Sequence, residues 1–176
     1  GIKIKPAEAD AMYAGIVIDT NNFMNQAGVR TFEAAAFLRR NGADVVRVRK
    51  LFRDKLEDYK ARAEAIQKAE IFKEYFAISE GPAEGIESPT VVGAQAANEM
   101  LDIVGIKASF VLTHLDDTIY FSARSIDEIN VQIMMEKMGG GGHRTIAGAQ
   151  LKGATIEEAK VKLKEIITDM LEKGDI

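Results

Sequence analysis

The spacing of apolar and polar positions predicts helices over the first third of the chain. Pro6 suits a first helical position, and the alanine-rich run behind it ends at the polar cluster Asp19–Asn22. A second helix is predicted over Thr31–Arg40, where Asn41-Gly42 forms a common helix stop. Asp44 is placed to cap a third helix, although the apolar alternation behind it also suits a strand.

A fourth helix is predicted between residues 55 and 69. Its apolar positions recur every three or four residues, and its other faces are strongly charged. The apolar stripe consists of Leu56, Tyr59, Ala63 and Ile66. Because such a helix can carry the chain from one globular unit to the next, we predict a linker helix and a domain boundary here.

The rest of the chain has a different pattern, in which strands and helices alternate. The predicted elements are a strand over 71–79, a helix from Pro89 to Gly105, strands over 108–113 and 118–123, a helix from Ser125 to Met138, a strand over 146–151 and a closing helix from Thr155. Capping boxes formed by Ser125 with Glu128, and by Thr155 with Glu158, mark the starts of the last two helices. The order βαββαβα predicts an α+β fold with helices packed on a small mixed sheet.

Composition narrows the classes of function. The chain has 176 residues, of which 47% are apolar and 28% are charged, as is ordinary for a soluble globular protein. It has no cysteine, which excludes disulfide scaffolds, thiolate metal sites and cysteine nucleophiles. Its two histidines are too few for a His-rich metal site. No signal peptide opens the chain, and no apolar run reaches the ~20 residues that a membrane span needs.

The net charge of −4 is unevenly distributed. Between Arg39 and Lys55 there are seven basic side chains against Asp44 and Asp54, which gives this stretch a charge of +5. A local basic stretch in an acidic protein can contact phosphates, but helix surfaces also carry such runs as solvated faces. We interpret this one as a solvated surface with at most a steering role for an anionic substrate.

The most specific chemical feature is the run Gly139–Gly142 followed by His143 and Arg144. Four consecutive glycines are costly to order, because glycine loses the most backbone entropy on folding. Without Cβ atoms, backbone N–H groups can converge on an anion or approach a flat base. We therefore predict a ligand site at Gly140, Gly141, Gly142 and His143, with a flexible surface loop as the alternative.

Two further places carry candidate chemistry. Arg124 and Ser125 stand where a strand gives way to a predicted helix, and a helix N-terminus attracts anions, although Ser125 also suits a simple cap. Asp19 follows an apolar helix and precedes a polar cluster. Its carboxylate suits either a metal ligand or a polar helix terminus.

These residues resemble a known family. Residues 14–23 (AGIVIDTNNF), 30–36 (RTFEAAA) and 42–44 (GAD) resemble the last motif block of DHH-type phosphoesterases. Residues 122–125 (SARS), the run Gly139–His143 and the pair Ala147-Gly148 resemble their DHH-associated substrate domain. The matches span nearly the whole chain in the family's order, and the first block is most similar to the cyclic-di-AMP phosphodiesterases of Gram-positive bacteria.

The resemblance implies a phosphodiesterase that uses two manganese ions to polarise phosphate oxygens and activate a water. It implies that Asp19 is a metal ligand, that Arg124 and Ser125 bind phosphate, and that the glycines with His143 hold the rest of the substrate. The implied reaction is hydrolysis of cyclic-di-AMP to linear pApA. The alternatives are hydrolysis of short oligoribonucleotides or of adenosine 3′,5′-bisphosphate, and a non-catalytic nucleotide-binding module.

One departure from the family is large. The Asp-His-His signature and the His-x-x-x-Asp-x-Asp cluster are both absent, so most of the metal ligands are missing. We therefore expect this chain to be the C-terminal piece of a longer enzyme and to be inactive alone. Residues 1–54 would be the C-terminal end of the DHH domain, and residues 70–176 would form the substrate domain. Residues 55–69 would be the helix that links these two domains.

The expected partners are a cyclic dinucleotide or short oligonucleotide and the missing N-terminal half, without duplex nucleic acid. The sequence does not decide whether the protein forms a homodimer. The resemblance also implies a cytoplasmic domain, and its family includes membrane-anchored parents.

Overall fold

The computed structural model describes residues 3–25, 27–126 and 128–176. The chain divides into two compact units, residues 1–54 and residues 55–176.

The first unit contains three helices: α1 (Pro6–Asp19), α2 (Val29–Arg40) and α3 (Val45–Leu51). All three predicted helices are confirmed, and the third element is a helix rather than a strand. The Asp44 carboxylate caps α3 by accepting a hydrogen bond from the Arg47 backbone N–H at 2.8 Å. The hydrophobic core of the first unit is small and consists of Ala9, Leu38 and Ala43, with Ile4, Tyr13 and Ile16 packed against it.

Arg47 belongs to the basic stretch but is more than a solvated charge. Its guanidinium donates to both carboxylate oxygens of Asp10, at 2.7 and 3.2 Å, and to the carbonyl of Gly42 at 2.8 Å. The Asp10 carboxylate also accepts from the Asp44 backbone N–H. This residue of the basic stretch therefore joins α3 to α1.

The second unit is built on one mixed sheet. Its elements are α4 (Leu56–Gln67), β1 (Glu70–Phe72), β2 (Phe76–Gly81), α5 (Pro89–Met100), β3 (Ala108–Leu115), β4 (Thr118–Ser125), α6 (Val131–Lys137), β5 (Gly141–His143), β6 (Ile146–Lys152) and α7 (Ile156–Lys173). The strand order is β1-β2-β3-β4-β6-β5. Only β2 and β3 pair in parallel among the described strands, because α5 provides the crossover between them. The predicted α+β class with a mixed sheet is confirmed.

Helices cover the two faces of this sheet unequally. On one face, α6 and α7 bury a large core against β2, β3, β4 and β6, with Phe76, Phe110, Phe121, Met134 and Leu163 among its members. On the other face, α5 and α4 pack over β2 and β3, with Val92, Ala96, Met100, Ala77 and Val111 buried between them. The Ser109 hydroxyl donates to the Ala97 carbonyl at 2.6 Å and anchors α5 there.

Three predictions about the elements are wrong. The predicted strand over 71–79 is a hairpin of β1 and β2, because Lys73 and Glu74 adopt positive φ of 48° and 72° and reverse the chain. No strand was predicted between the helix ending at Met138 and the strand over 146–151, yet Gly141–His143 forms β5. Ser125 does not cap α6: the helix begins at Val131, and the Asn130 side chain accepts from the backbone at its start.

The predicted linker helix exists as α4, but of its predicted apolar stripe only Ile66 packs against the core. Leu56 and Tyr59 are 61% and 59% exposed, whereas Ala61, Arg62 and Ala65 are buried. Arg62 forms an ion pair with Glu99 of α5 at 2.6 Å and a hydrogen bond with Gln95 at 3.0 Å. The helix therefore packs on α5 through small residues and one paired arginine.

The second predicted capping box is confirmed. The Thr155 hydroxyl accepts from the Glu158 backbone N–H at 3.2 Å, and the Glu158 carboxylate accepts from the Thr155 N–H at 2.8 Å. Hydrogen bonds to the Glu158 carboxylate from the Thr155 backbone N–H and from the Thr155 hydroxyl lower the pKa of the Glu158 carboxyl. Within the described part of the chain, no helix is both long and apolar enough to cross a membrane.

Candidate functional site

On one face of the sheet, no described helix of the second unit packs over β6 and β5, whereas α5 reaches across β2 and β3 to β4. Along β4, buried residues alternate with half-buried ones, and the buried set faces α6 and α7. The half-buried residues Tyr120, Ser122 and Arg124 point to the other face, where α5 packs over β2, β3 and part of β4. We call the part of this face formed by β4, β6 and β5 the open face.

The strand register places the residues of the open face in three rows, since directly paired residues of antiparallel strands share a face. The first row is Arg124, Ile146 and His143. The second row is Ser122, Gly148 and Gly141, and the third is Tyr120 and Gln150. The middle row has only one short side chain, so the open face contains a shallow trough whose walls are the first and third rows.

Ordinary strand spacing sets the size of this trough. Neighbouring strands lie about 4.8 Å apart, so the Cα atoms of Arg124 and His143 are about 10 Å apart across β6. Residues two apart along a strand are separated by about 6.8 Å, which puts the two walls roughly 14 Å apart. These dimensions suit a flat or elongated small molecule.

The glycines of the run have different roles. A Cβ at Gly140 would overlap the Gly148 carbonyl and lie 2.6 Å from the Ala149 Cα, and one at Gly142 would lie 2.5 Å from the Ala147 Cα. These two glycines therefore allow β5 to lie against β6. A Cβ at Gly141 would meet no atom within 4 Å. The free space at Gly141 therefore belongs to the trough and not to the contact between β5 and β6.

Arg124 is the charged group of this site. It is half-buried, and its Nη1 donates to the Ala123 carbonyl at 2.9 Å, while its Nε is buried and has no hydrogen-bond partner among the described residues. Burial alone lowers the pKa of the Arg124 guanidinium, although arginine keeps its charge in proteins. A desolvated cation with a free donor favours an anionic ligand such as phosphate.

The structure brings Arg124, Gly141 and His143 to one face, with His143 exposed at the sheet edge. Gly140 and Gly142 contribute indirectly, because they allow β5, which carries Gly141 and His143, to lie against β6. Ser125 does not join them, because it lies on the opposite face, is buried, and donates its hydroxyl to the Ile129 carbonyl at 2.6 Å. Ser125 is therefore not part of the open face.

Asp19 lies in the first unit, at the last position of α1, and is exposed. The three residues Asn21, Asn22 and Phe23 all adopt positive φ, at 44°, 58° and 66°. Such a conformation is unusual for phenylalanine. Contacts of the Phe23 ring with Phe32 at 5.3 Å and with Tyr13 at 6.1 Å hold the turn in place. Strain of this kind is concentrated at functional sites, and here it follows the predicted metal ligand directly.

The residues present do not amount to a metal centre. Within the ranges that the structure describes, no group of three or more His, Cys, Asp or Glu side chains is placed to hold a metal ion. A manganese or magnesium site needs several oxygen or nitrogen ligands, and Asp19 supplies one carboxylate. We therefore derive no chemical step through a metal from this chain alone.

Three residues of the open face were missed by the sequence analysis: Tyr120, Ile146 and Gln150. Each alternates with buried neighbours along β4 or β6, and this alternation is visible in the sequence. It did not identify them, because a strand pattern does not show which face a helix leaves uncovered.

The mixed sheet with helices packed on its two faces makes the second unit a small α+β domain, which follows a helical segment. The domain matches the family model described as the DHHA1 domain over residues 75–172, and the chain belongs to that family.

Relatives extend the match to the whole chain. It is 43% identical over 174 residues to the cyclic-di-AMP phosphodiesterase GdpP of Geobacillus thermodenitrificans, covering 98% of this chain and 26% of that protein. It is 44% identical over 169 residues to the cyclic-di-AMP phosphodiesterase PdeA of Listeria monocytogenes, covering 96% of this chain and 25% of that protein. The chain thus spans about a quarter of the length of these relatives.

A solved structure has the same fold. The exopolyphosphatase-related protein of Bacteroides fragilis superposes with a TM-score of 0.83, is 20% identical, and covers 95% of this chain and 51% of that one. At this identity the likeness concerns the fold alone.

Proposed function

We propose that this chain is the substrate-binding part of a phosphodiesterase that hydrolyses cyclic-di-AMP to linear pApA. The observation that carries the proposal is Arg124, a half-buried guanidinium whose buried Nε has no hydrogen-bond partner among the described residues and whose strand row borders the row of Ser122, Gly148 and Gly141. Support for the substrate comes from the two phosphodiesterases named above, which are more than two-fifths identical over nearly all of this chain.

In this proposal, Arg124 binds a phosphate through charge-assisted hydrogen bonds, each worth ~1.5–3 kcal/mol. The middle row, with Ser122 as its one short side chain, allows the sugar and base to lie close to the sheet. His143 at the outer edge supplies a further polar contact. The contribution of these residues to the reaction is to bind and orient the substrate.

Catalysis requires residues beyond this chain. We propose that the preceding part of the parent protein supplies the remaining ligands of two manganese ions, and that Asp19 completes their set. When bound, the metal supplies polarisation of the phosphate and an activated water. The helical first unit would then be the end of that catalytic domain, and the second unit the substrate domain.

The test is a calorimetric titration of the chain with cyclic-di-AMP, adenosine 3′,5′-bisphosphate and a short oligoadenylate. We expect Kd values on the order of micromolar to millimolar, because the metal-binding half of the site is missing. The ligand that binds most tightly distinguishes the cyclic-dinucleotide substrate from the two alternatives. If none of the three binds at millimolar concentration, the assignment of the site is wrong.

Two variants locate the binding. Arg124→Ala should weaken all three ligands, because each offers a phosphate. Gly141→Val should abolish binding without unfolding the protein, because its side chain enters the free space of the trough. Binding that survives both substitutions would contradict a site on the open face.

A further inference from the structure

Ile146 is an unexpected residue at the centre of the first row. It is a large apolar side chain, 47% exposed, on the middle strand of the open face. Arg124 is its partner in β4, and His143 is its partner in β5. An apolar side chain thus lies directly between a desolvated cation and an imidazole.

We propose that Ile146 is a specificity-determining residue that contacts the nucleobase, so that the site selects nucleotides over phosphate compounds without a base. This inference rests on the proposed function and adds to it the part of the substrate that is recognised. Ile146 does not take part in bond cleavage.

Spacing supports this assignment. A phosphate held by Arg124 leaves the rest of the ligand to extend over β6, whose Cα atoms lie about 4.8 Å away. Polyphosphate or a bare sugar phosphate would place hydrated polar groups against the isoleucine, and this contact would add no binding free energy. A base instead offers a flat apolar face that displaces water from the exposed half of this side chain.

The open trough and the edge histidine fit the same orientation. Gly141 and Gly148 remove side chains on one side of Ile146, so a ring system can lie flat across the strands. His143 lies beyond Ile146, where it reaches the polar edge of a base whose face covers the isoleucine. The three residues of the first row therefore provide contacts for phosphate, base face and base edge in order.

The test compares two ligands that differ only by the base, AMP and ribose 5-phosphate. Both are titrated into the full 176-residue chain and followed by amide chemical shifts in NMR, which measures millimolar Kd values. We expect wild type to bind AMP more tightly. Ile146→Ala should weaken AMP about fivefold, the value for losing roughly half of a buried isoleucine contact, and leave ribose 5-phosphate unchanged.

Two further variants guard against a purely structural effect. Ile71→Ala is the matched control, because Ile71 lies on β1 at the opposite edge of the same sheet and is 51% exposed. It should leave both Kd values unchanged. Ile146→Phe should keep or strengthen AMP binding, since an aromatic ring stacks on a base and keeps strand propensity. Loss of folding cannot imitate that result.

The outcomes separate this inference from the proposed function. If wild type binds neither AMP nor ribose 5-phosphate, or binds the two equally, the proposal for Ile146 fails, while the proposed function is decided by the titration with cyclic-di-AMP. If both bind but Ile146→Ala leaves the AMP preference unchanged, or weakens both ligands equally, the proposal for Ile146 is wrong while a phosphate site at Arg124 stands. If Ile146→Ala weakens the binding of AMP alone, the result supports both the proposed function and the role of Ile146.

Discussion

Within the glycine run, neighbouring residues that look identical in sequence face different surroundings. Gly140 and Gly142 lie against the backbone of β6, and Gly142 has a φ of 146°. Gly141, between them, points into free space. One glycine is thus available to ligands, while its two neighbours are required by packing.

We expect Gly142→Ala and Gly140→Ala to lower the free energy of unfolding by about 3 kcal/mol, the upper end for overpacking, because the new Cβ meets backbone atoms that cannot move aside. Gly141→Ala should stay within about 0.5 kcal/mol of wild type. Urea unfolding measures all three. Equal losses at the three positions would refute this division of roles.

Among the helices, two contacts decide how elements join. In the first unit, Asp10 and Arg47 connect α1 and α3. In the second, α5 approaches β3 at Gly93, where a Cβ would lie 2.7 Å from the Thr113 Oγ1 and 3.3 Å from the Val111 Cγ1. The Thr113 hydroxyl itself is buried with no hydrogen-bond partner among the described residues.

The contact between α1 and α3 makes stability depend on pH. Hydrogen bonds from Arg47 and from the Asp44 backbone N–H hold the pKa of the Asp10 carboxyl below its usual value. The stabilisation is therefore complete above the unfolded-state pKa of about 3.9 and is lost as pH falls through the lower folded-state pKa. The difference in thermal midpoint between wild type and Asp10→Asn should be largest near neutral pH and vanish in acid. A difference that does not shrink as pH falls from neutral into the acid range would contradict this assignment.

At the contact between α5 and β3, Gly93→Ala should destabilise by about 1–3 kcal/mol, although alanine gains roughly 1 kcal/mol of helix propensity. Combining it with Thr113→Ala removes the clash with Oγ1, so the double variant should lose less than the sum of the two single changes. Gly15→Ala is the control: its Cβ meets nothing within 4 Å in α1, and it should stabilise. Strict additivity in denaturant unfolding would argue against the contact.

At the scale of the whole molecule, the number of metal-ligating residues limits the catalytic activity. Asp19 is the one recognisable metal ligand, and the described residues hold no cluster around it. We expect the chain to produce no linear product from cyclic-di-AMP with manganese, as measured by chromatography. The longer parent protein under the same conditions is the positive control. Turnover by the purified 176-residue chain would overturn the fragment interpretation.

The sequence predicts local features well where one element decides them. Pro6 begins α1, Asp44 caps α3, and Thr155 with Glu158 caps α7, as expected, because each signal acts within a few residues. Most of the predicted stripe on α4 was wrong, since packing against α5 buries the face with Ala61 and Ala65, and only Ile66 of the stripe contacts the core.

For the candidate site, the sequence alone identified Arg124, the glycine run and His143, because charge and the absence of Cβ atoms are properties of the residues themselves. Only the tertiary structure decided that Ser125 faces the core while Arg124 faces out, since one strand alternates between two faces. Only strand pairing placed Ile146 between Arg124 and His143. Pairing brings together residues that are distant in sequence, and no local pattern records it.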